Sequence, residues 1–443
     1  MVAALLVMYS TPLQAQQQSI ELDMASVAAR ASADSWETKR AHEESEAANW
    51  VARRASSLRW GRIGFDTQYL RFDNSISIQS PIPRPLIPVL GLSALSTPIA
   101  PQDNLHVRFS AGYPIFTGGK ISYGIKEAKA GARAERALAS KTDAEVVFEA
   151  ERDYLSLLLA RDILKLNQDA LTSYREHLSH ANSYYRQGTA ARYDVIRAEA
   201  AVTEQERRLT EALNQVDLAE AALRTSLVLS DAEPIDVRGR LFEIDEPVEM
   251  HQAIADAVQS SPALRALDEK IDALKNNVRV QFGDYLPQVT AIAEREAVTS
   301  KLAQTDPTWY VGGRLSLDLF DGGERRARIG EAKAHLQDSR YERKHAEDQV
   351  ALAVRSAVLD LRAKQASLAS AHKTAELAQE SLRLATKRFE VGTGTSLEVL
   401  DATLAVTSSQ VNVQQALYGI DLAYLTIHRH QGDIAEVAAR IQK

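Results

Sequence analysis

The sequence predicts a mainly α-helical protein with a small β part, built as a tandem duplication of one unit in which two strands precede a long antiparallel helical hairpin. Three observations predict it. The chain matches itself at an offset of 204 residues, large apolar residues recur every seven positions in each copy, and the period changes from seven to two ahead of each hairpin.

The self-match needs no gap over about residues 113–226. Phe116-Thr117-Gly118-Gly119 falls on Phe320-Asp321-Gly322-Gly323, Gly188-Thr189 on Gly392-Thr393, and Asp217-Leu218-Ala219 on Asp421-Leu422-Ala423. Chance identities do not hold one register that long. The chain therefore divides into a first repeat over 16–232, a linker over 233–247 and a second repeat over 248–443.

Taken in order, residues 2–8 are an apolar run, and the segment ends at Ala15 like the tail of a secretory signal, although no Lys or Arg precedes it. A signal peptide over 1–15 is the expectation, with a buried N-terminal segment as the other reading. Amphipathic helical patterns at 20–58 and 248–285 stand ahead of the strands. In 105–113 the apolar side is Leu105, Val107, Phe109, Ala111 and Tyr113, while His106, Arg108 and Ser110 face the other way. The equivalent run sets Trp309, Val311, Leu315 and Leu317 against Arg314 and Ser316. With less regular partners, strands are expected at about 61–73, 105–116, 287–298 and 308–320. The Pro-rich stretch 80–101 between the first pair reads as an apolar loop or as disorder.

Strands of this length and alternation suit a membrane barrel, and a half-buried soluble hairpin uses the same period. Four strands cannot close a barrel, and open edges are not tolerated in lipid, so the membrane reading requires an oligomer.

Helices are expected at 118–187 and 191–229, and again at 322–391 and 395–430. Their seams read Ala150, Leu157, Leu164, Leu171, Leu178, Tyr185 and Val354, Leu361, Leu368, Ala375, Leu382, Phe389, then Val195 to Leu223 and Val399 to Ile427 at the same spacing. A period of seven keeps a seam facing its partner only in a left-handed supercoil. At about 1.5 Å per residue, a 70-residue helix reaches on the order of 100 Å, beyond any ordinary globular domain.

Composition narrows the function. A formal net charge of −7 with no Lys/Arg block gives nucleic acid no surface. The absence of cysteine excludes disulfides, thiolate metal sites and a lipid-anchored N-terminal Cys. No apolar stretch after residue 15 approaches the roughly 18 residues of a membrane helix, so a bilayer could be crossed only by strands.

With the duplication, the strand pairs, the Phe-x-Gly-Gly junctions and the Gly-Thr turns in hand, the chain resembles the TolC-type outer membrane factors, most strongly over 118–229 and 322–432. The resemblance is weakest before Trp60, where the family's Leu-Pro survives as Leu286-Pro287 but is Leu58-Arg59 in the first copy. It implies a homotrimer whose helices form an α-barrel across the periplasm and whose strands, four per chain, form a 12-stranded β-barrel in outer-membrane lipid. It further implies a passive exit duct of a tripartite efflux or type I secretion system. The partners would be a periplasmic adaptor (membrane fusion) protein and an inner-membrane pump.

The family's tip motif matches Gln187-Gly188-Thr189 and Val391-Gly392-Thr393, implying adaptor contact; from the residues alone, the glycines need be only tight turns. Glu398 and Asp401 match bore-lining acids of the periplasmic constriction and share a helical face, while Thr395 and Glu398 also read as a capping box. Asp194 matches an acid that helps latch the closed state. Its usual Arg and Tyr partners fall at Gly394 and Phe389, leaving Arg192 or Arg197 as substitutes. Gly118, Gly119, Gly322 and Gly323 mark the strand-to-helix junctions.

No catalytic residue, metal or cofactor is expected. Gly118-Gly119-Lys120 lacks the upstream glycine of a phosphate loop, which would stand at Pro114. His177 and His180 lack a third ligand and read as solvated helix surface, and His428 and His430 are weaker still. The competing class is a soluble coiled-coil scaffold of the periplasm or cytoplasm.

Overall fold

The computed structural model describes residues 20–79, 89, 96–100, 102–244, 247–298, 309–435 and 437. The expected signal over 1–15 and most of the Pro-rich stretch lie outside the described residues. The first repeat contains β1 (Ile20–Leu22), α1 (Met24–Asp34), α2 (Trp36–Ser57), β2 (Arg62–Arg71), β3 (Ile76–Gln79), β4 (Ser96–Ala100), β5 (Asp103–Phe116), α3 (Lys120–Arg186) and α4 (Arg192–Ser226). Then follow β6 (Ile235–Val237), α5 (Met250–Ser260), α6 (Pro262–Phe282), β7 (Gln288–Val298), β8 (Trp309–Ser316), α7 (Glu324–Glu390) and α8 (Ser396–Gln431).

Several elements differ from the sequence expectation. The helix expected over 20–58 opens on a short strand and breaks at Ser35, whose extended backbone (ψ 137°) stops α1. Its counterpart over 248–285 breaks at Ser261 (ψ 121°), the residue before Pro262, where the proline ring disfavours helical backbone. The linker carries β6, and the end of the Pro-rich stretch carries β4, which pairs antiparallel with β3. β8 ends at Ser316, leaving Leu319 and Phe320 about nine-tenths exposed outside the strand.

The described residues fall into two compact units. The first draws on Met1–Glu44, Arg136–Arg265 and Lys344–Lys443. Here β1 pairs in parallel with β6, and Leu22, Met24, Tyr154, Leu155, Leu157, Leu223 and Leu425 form a dry core around them. The linker is pinned by side chains from three helices. Tyr154 Oη donates to the Arg238 carbonyl (2.6 Å), Gln365 Nε2 to that of Ile244 (2.9 Å), and Asp421 Oδ2 accepts from Phe242 N–H (3.0 Å). A second cluster packs Ala253 and Ala257 of α5 on Val354, Val358, Leu361, Ile420 and Ile427.

The heptad seams are buried at Ala150, Leu157, Leu171, Val354, Leu361, Leu368, Val399, Ile420 and Ile427. Ala198, Ala212, Ala402, Ala416 and Ala423 are buried beside them, letting helices approach closely. The seam fails at Tyr185, which is 43% exposed; the chain turns Tyr184 inward instead, against Phe389. Gln205 interrupts the small-residue line, and its buried amide donates to Asn167 Oδ1 at 2.9 Å, so the polar pair fixes the α3–α4 register at little desolvation cost.

The second unit draws on Ser45–Glu135 and Ala266–Arg343. Its antiparallel sheet has the order β2-β5-β7-β8, so the two copies join where β5 pairs with β7. Pairing Ile63↔Ala111, Ala111↔Ala293 and Ala293↔Val311 keeps the apolar side chains on one face. The other face is charged: Arg108 meets Glu294 at 3.2 Å and Glu296 at 3.3 Å, and Tyr310 Oη donates to Glu294 (2.9 Å).

Candidate functional site

Both hairpin tips end in the same hydrogen-bonded turn. Thr189 N–H donates to the Tyr184 carbonyl and Gly188 N–H to that of Tyr185, each at 2.9 Å; Thr393 and Gly392 do the same to Arg388 (2.9 Å) and Phe389 (3.1 Å). This six-to-one and five-to-two pattern needs a left-handed residue, which Gly188 (φ +74°) and Gly392 (φ +76°) supply. A Cβ at either glycine meets no atom within 4 Å, so only the backbone demands glycine. Gln187 and Val391 beside them are exposed.

Past the second tip, Thr395 caps α8: its Oγ1 accepts from Glu398 N–H at 3.3 Å. The Glu398 carboxylate lies 3.8 Å from Arg388 Nε. Asp401, three residues on, is exposed. Its charge helps raise the pKa of Tyr174, after burial, which is the main cause.

Asp194, which the resemblance matches to a latching acid, makes a local contact at the start of its own helix. Asp194 Oδ2 accepts from its own helix's Ala191 N–H at 3.3 Å, and Arg197 donates to Tyr193 Oη, so no ion pair from Arg192 or Arg197 reaches that carboxylate among the described residues. What joins the hairpins there is His177. It is 6% exposed, its Nε2 stands 2.7 Å from Ser396 Oγ, and its ring lies 4.8 Å from that of Phe389. Tyr184 meets Phe389 edge-on at 5.5 Å. Burial, with a smaller push from His180, lowers the His177 pKa to about 4, so the ring is neutral. The solvated-surface reading of His177 is thus overturned. A signal existed, since Ala170, His177 and Tyr184 repeat every seven residues as a second seam.

At the strand-to-helix junctions the equivalent glycines differ. A Cβ at Gly118 (φ +62°) would overlap the Gly283 carbonyl and stand 2.9 Å from Leu286 Cβ, whereas one at Gly322 (φ +66°) would meet nothing within 4 Å. Gly119 and Gly323 also hold positive φ. Asp321 caps α7, accepting from Gly323 N–H (3.0 Å), Arg325 N–H (3.0 Å) and Arg325 Nε (2.6 Å), and those bonds hold its pKa at about 2.

Among the described residues no three His, Asp or Glu side chains converge as a metal site. His428 instead pairs with Asp433 at 3.0 Å, and burial lowers the His430 pKa to about 4. No helix among them is long and apolar enough to cross a membrane.

Comparisons with known proteins agree with this architecture. The chain is 26% identical over 313 residues to the outer membrane efflux protein BepC of Brucella suis, covering 70% of this chain and 68% of that protein. It is 23% identical over 292 residues to the alkaline protease secretion protein AprF of Pseudomonas aeruginosa, covering 64% of this chain and 60% of AprF. The crystal structure of the outer membrane protein VceC from Vibrio cholerae superposes with a TM-score of 0.78 at 17% identity, covering 92% of this chain and 96% of VceC. The resemblance to TolC-type factors, and the mainly α fold with its small sheet, are borne out. The family model described as outer membrane efflux protein matches residues 87–227 and 253–432, well over half of the sequence, and the chain belongs to that family.

Proposed function

We propose that the chain is one protomer of a homotrimeric outer-membrane duct, through which an inner-membrane pump exports its substrate by way of a periplasmic adaptor. The observation that carries this reading is the four-stranded sheet. It has one apolar and one charged face, and its outer strands β2 and β8 each pair on one side only among the described residues. Unpaired edges in lipid would leave rows of unsatisfied N–H and C=O groups, and pairing β8 of one copy with β2 of the next removes them. Three copies give twelve strands with a polar lumen and a lipid-facing exterior.

In this reading the tip residues Gln187 to Thr189 and Val391 to Thr393 meet the adaptor. Glu398 and Asp401 line the constriction, and Asp194 lies beside it. The duct performs no chemistry and supplies no energy. Extraction with detergent, mass measurement and reconstitution in planar bilayers test it: a trimer from the outer-membrane fraction with stable single-channel conductance is expected. A soluble monomer without conductance would reject the duct and favour a coiled-coil scaffold.

A further inference from the structure

Arg295 stands on the apolar face of the sheet. In β7 the alternation places Ala291, Ala293, Arg295 and Ala297 on one side. The register then carries Arg295 into the cross-strand row Phe65↔Phe109↔Arg295↔Trp309. The Phe65 and Phe109 rings lie 4.9 Å apart, and Trp309 is 66% exposed. Arg108, on the opposite face, has Glu294 and Glu296 as partners. Arg295 has no hydrogen bond or ion pair among the described residues and is exposed.

A groove of about 250 Å³ begins at this arginine, lined by Ile63, Phe109, Ala293, Trp309 and Val311 together with Arg295. Glu294 also borders it, but its carboxylate is engaged by Arg108 and Tyr310 on the charged face. Arg295 is seven residues along the strand from Gln288, about 23 Å at roughly 3.3 Å per residue. Strands tilted by about 35–45° rise roughly 16–19 Å over that length, which sets Arg295 near the outer third of a barrel's apolar band, about 25 Å tall, with its long side chain able to reach the rim. An unpaired guanidinium is costly at mid-membrane and tolerable at the rim, where its stem lies along apolar surface and its head reaches the headgroups.

We propose that Arg295, Trp309 and the groove bind a phosphorylated lipid of the outer leaflet, with the phosphate on the guanidinium and an acyl chain in the groove. The planar fork of Arg matches two phosphate oxygens, and the aromatic row marks the depth at which headgroups begin. The apolar lining gives the chain a continuous track inward from that point. The inference rests on the proposal that this face of the sheet meets lipid.

The test uses the intact trimer and native mass spectrometry with three probes: a diphosphorylated glycolipid, its dephosphorylated analogue and inorganic phosphate. The wild type is expected to favour the phosphorylated lipid by about tenfold, the contribution of hydrogen bonds to a charged group. Arg295→Gln is expected to abolish that preference and Arg295→Lys to restore part of it. An unchanged preference in Arg295→Gln, or equal binding of the dephosphorylated lipid by the wild type, overturns the site. Displacement of the lipid by millimolar inorganic phosphate overturns it in favour of a soluble-anion site. Because the chain has no cysteine, a fluorophore on Leu315→Cys, on the same face of β8 but outside the groove, reports separately on the bilayer. Quenching by brominated lipids with no effect of Arg295→Gln rejects the site alone; no quenching rejects the lipid-facing sheet and the site together.

Discussion

His177 Nε2 lies 2.7 Å from Ser396 Oγ, tying α3 of the first hairpin to the first turn of α8 in the second. His177 is buried against the Phe389 ring, which Tyr184 also meets, and that burial favours the neutral imidazole over the charged one.

This sets a pH dependence. An unfolded histidine takes up its proton near pH 6.5, whereas burial delays His177 to about 4. Between those values the opened tip binds more protons than the closed one, so local stability is full above about pH 6.5 and falls as pH drops toward 4. Hydrogen exchange corrected for intrinsic rate should show residues 177–184 and 389–399 losing protection over that window. His177→Asn, which can still bond Ser396 but does not titrate, should flatten the response. Equal protection in the wild type at pH 7 and 4.5 would refute the assignment.

Two buried acids act with the opposite sign. Glu151 is fully buried with neither carboxylate oxygen bonded among the described residues, and Asp421 keeps only the Phe242 N–H. Burial pushes both pKa values up to about 8. Their unfolded forms ionise near pH 4, so folding requires retained protons at neutral pH. Stability is therefore full below about pH 4 and is lost as pH rises through about 8. Asp421→Asn keeps an acceptor for Phe242 and removes the ionisation. It should raise stability by about 1–3 kcal/mol at pH 8 and by less at pH 5. Urea unfolding at the two pH values measures it; parallel curves would show that Asp421 is not the titrating group.

The heptads were legible because Leu, Val and Ile at period seven have one stable arrangement, and the strands because period two assigns each residue to a face. The breaks at Ser35 and Ser261 were harder to see: an amphipathic pattern survives a one-residue interruption when both segments pack on the same core. Pro262 was the available clue. The hairpin clasp was hidden because His177 is polar by type and stands beside the stronger seam residue Leu178, so its burial depends on Phe389, more than two hundred residues away. Arg295 was masked by the irregular alternation of β7, and its face became clear only through pairing with Phe109 and Trp309.

Repeat-equivalent glycines should not respond alike. Gly322→Ala strains only a left-handed backbone, for about 1–2 kcal/mol. Gly118→Ala adds a Cβ that overlaps the Gly283 carbonyl and presses on Leu286, so its cost should rise to about 2–5 kcal/mol. At the tip, Gly392→Val has open space and should cost only about 1–2 kcal/mol while impairing export more than assembly. Thermal unfolding of the purified trimers ranks the three, and equal losses at Gly118 and Gly322 would contradict the closer packing at the first junction.

Glu398 and Asp401 lie three residues apart in the first turns of α8. Thr395 already caps that helix end through Glu398 N–H, so the cap depends on the Glu398 backbone and not on its carboxylate. Glu398→Ala should therefore cost less than loss of the cap through Thr395→Ala, which is worth about 0.5–2 kcal/mol. The carboxylate also faces Arg388 at 3.8 Å, a half-exposed pair of little stabilising value. If three chains converge here, six carboxylates share a narrow aqueous passage. The three arginines offset part of that charge, leaving Asp401 as the stronger contributor. A trivalent cation added from the periplasmic side of a planar bilayer should then block the wild-type channel at low concentration. Asp401→Ala should weaken the block more than Glu398→Ala, and the double variant should abolish it, while Val399 and Ala402, buried on the seam, keep assembly intact. Block of the double variant at the wild-type concentration would show that these acids do not line the constriction.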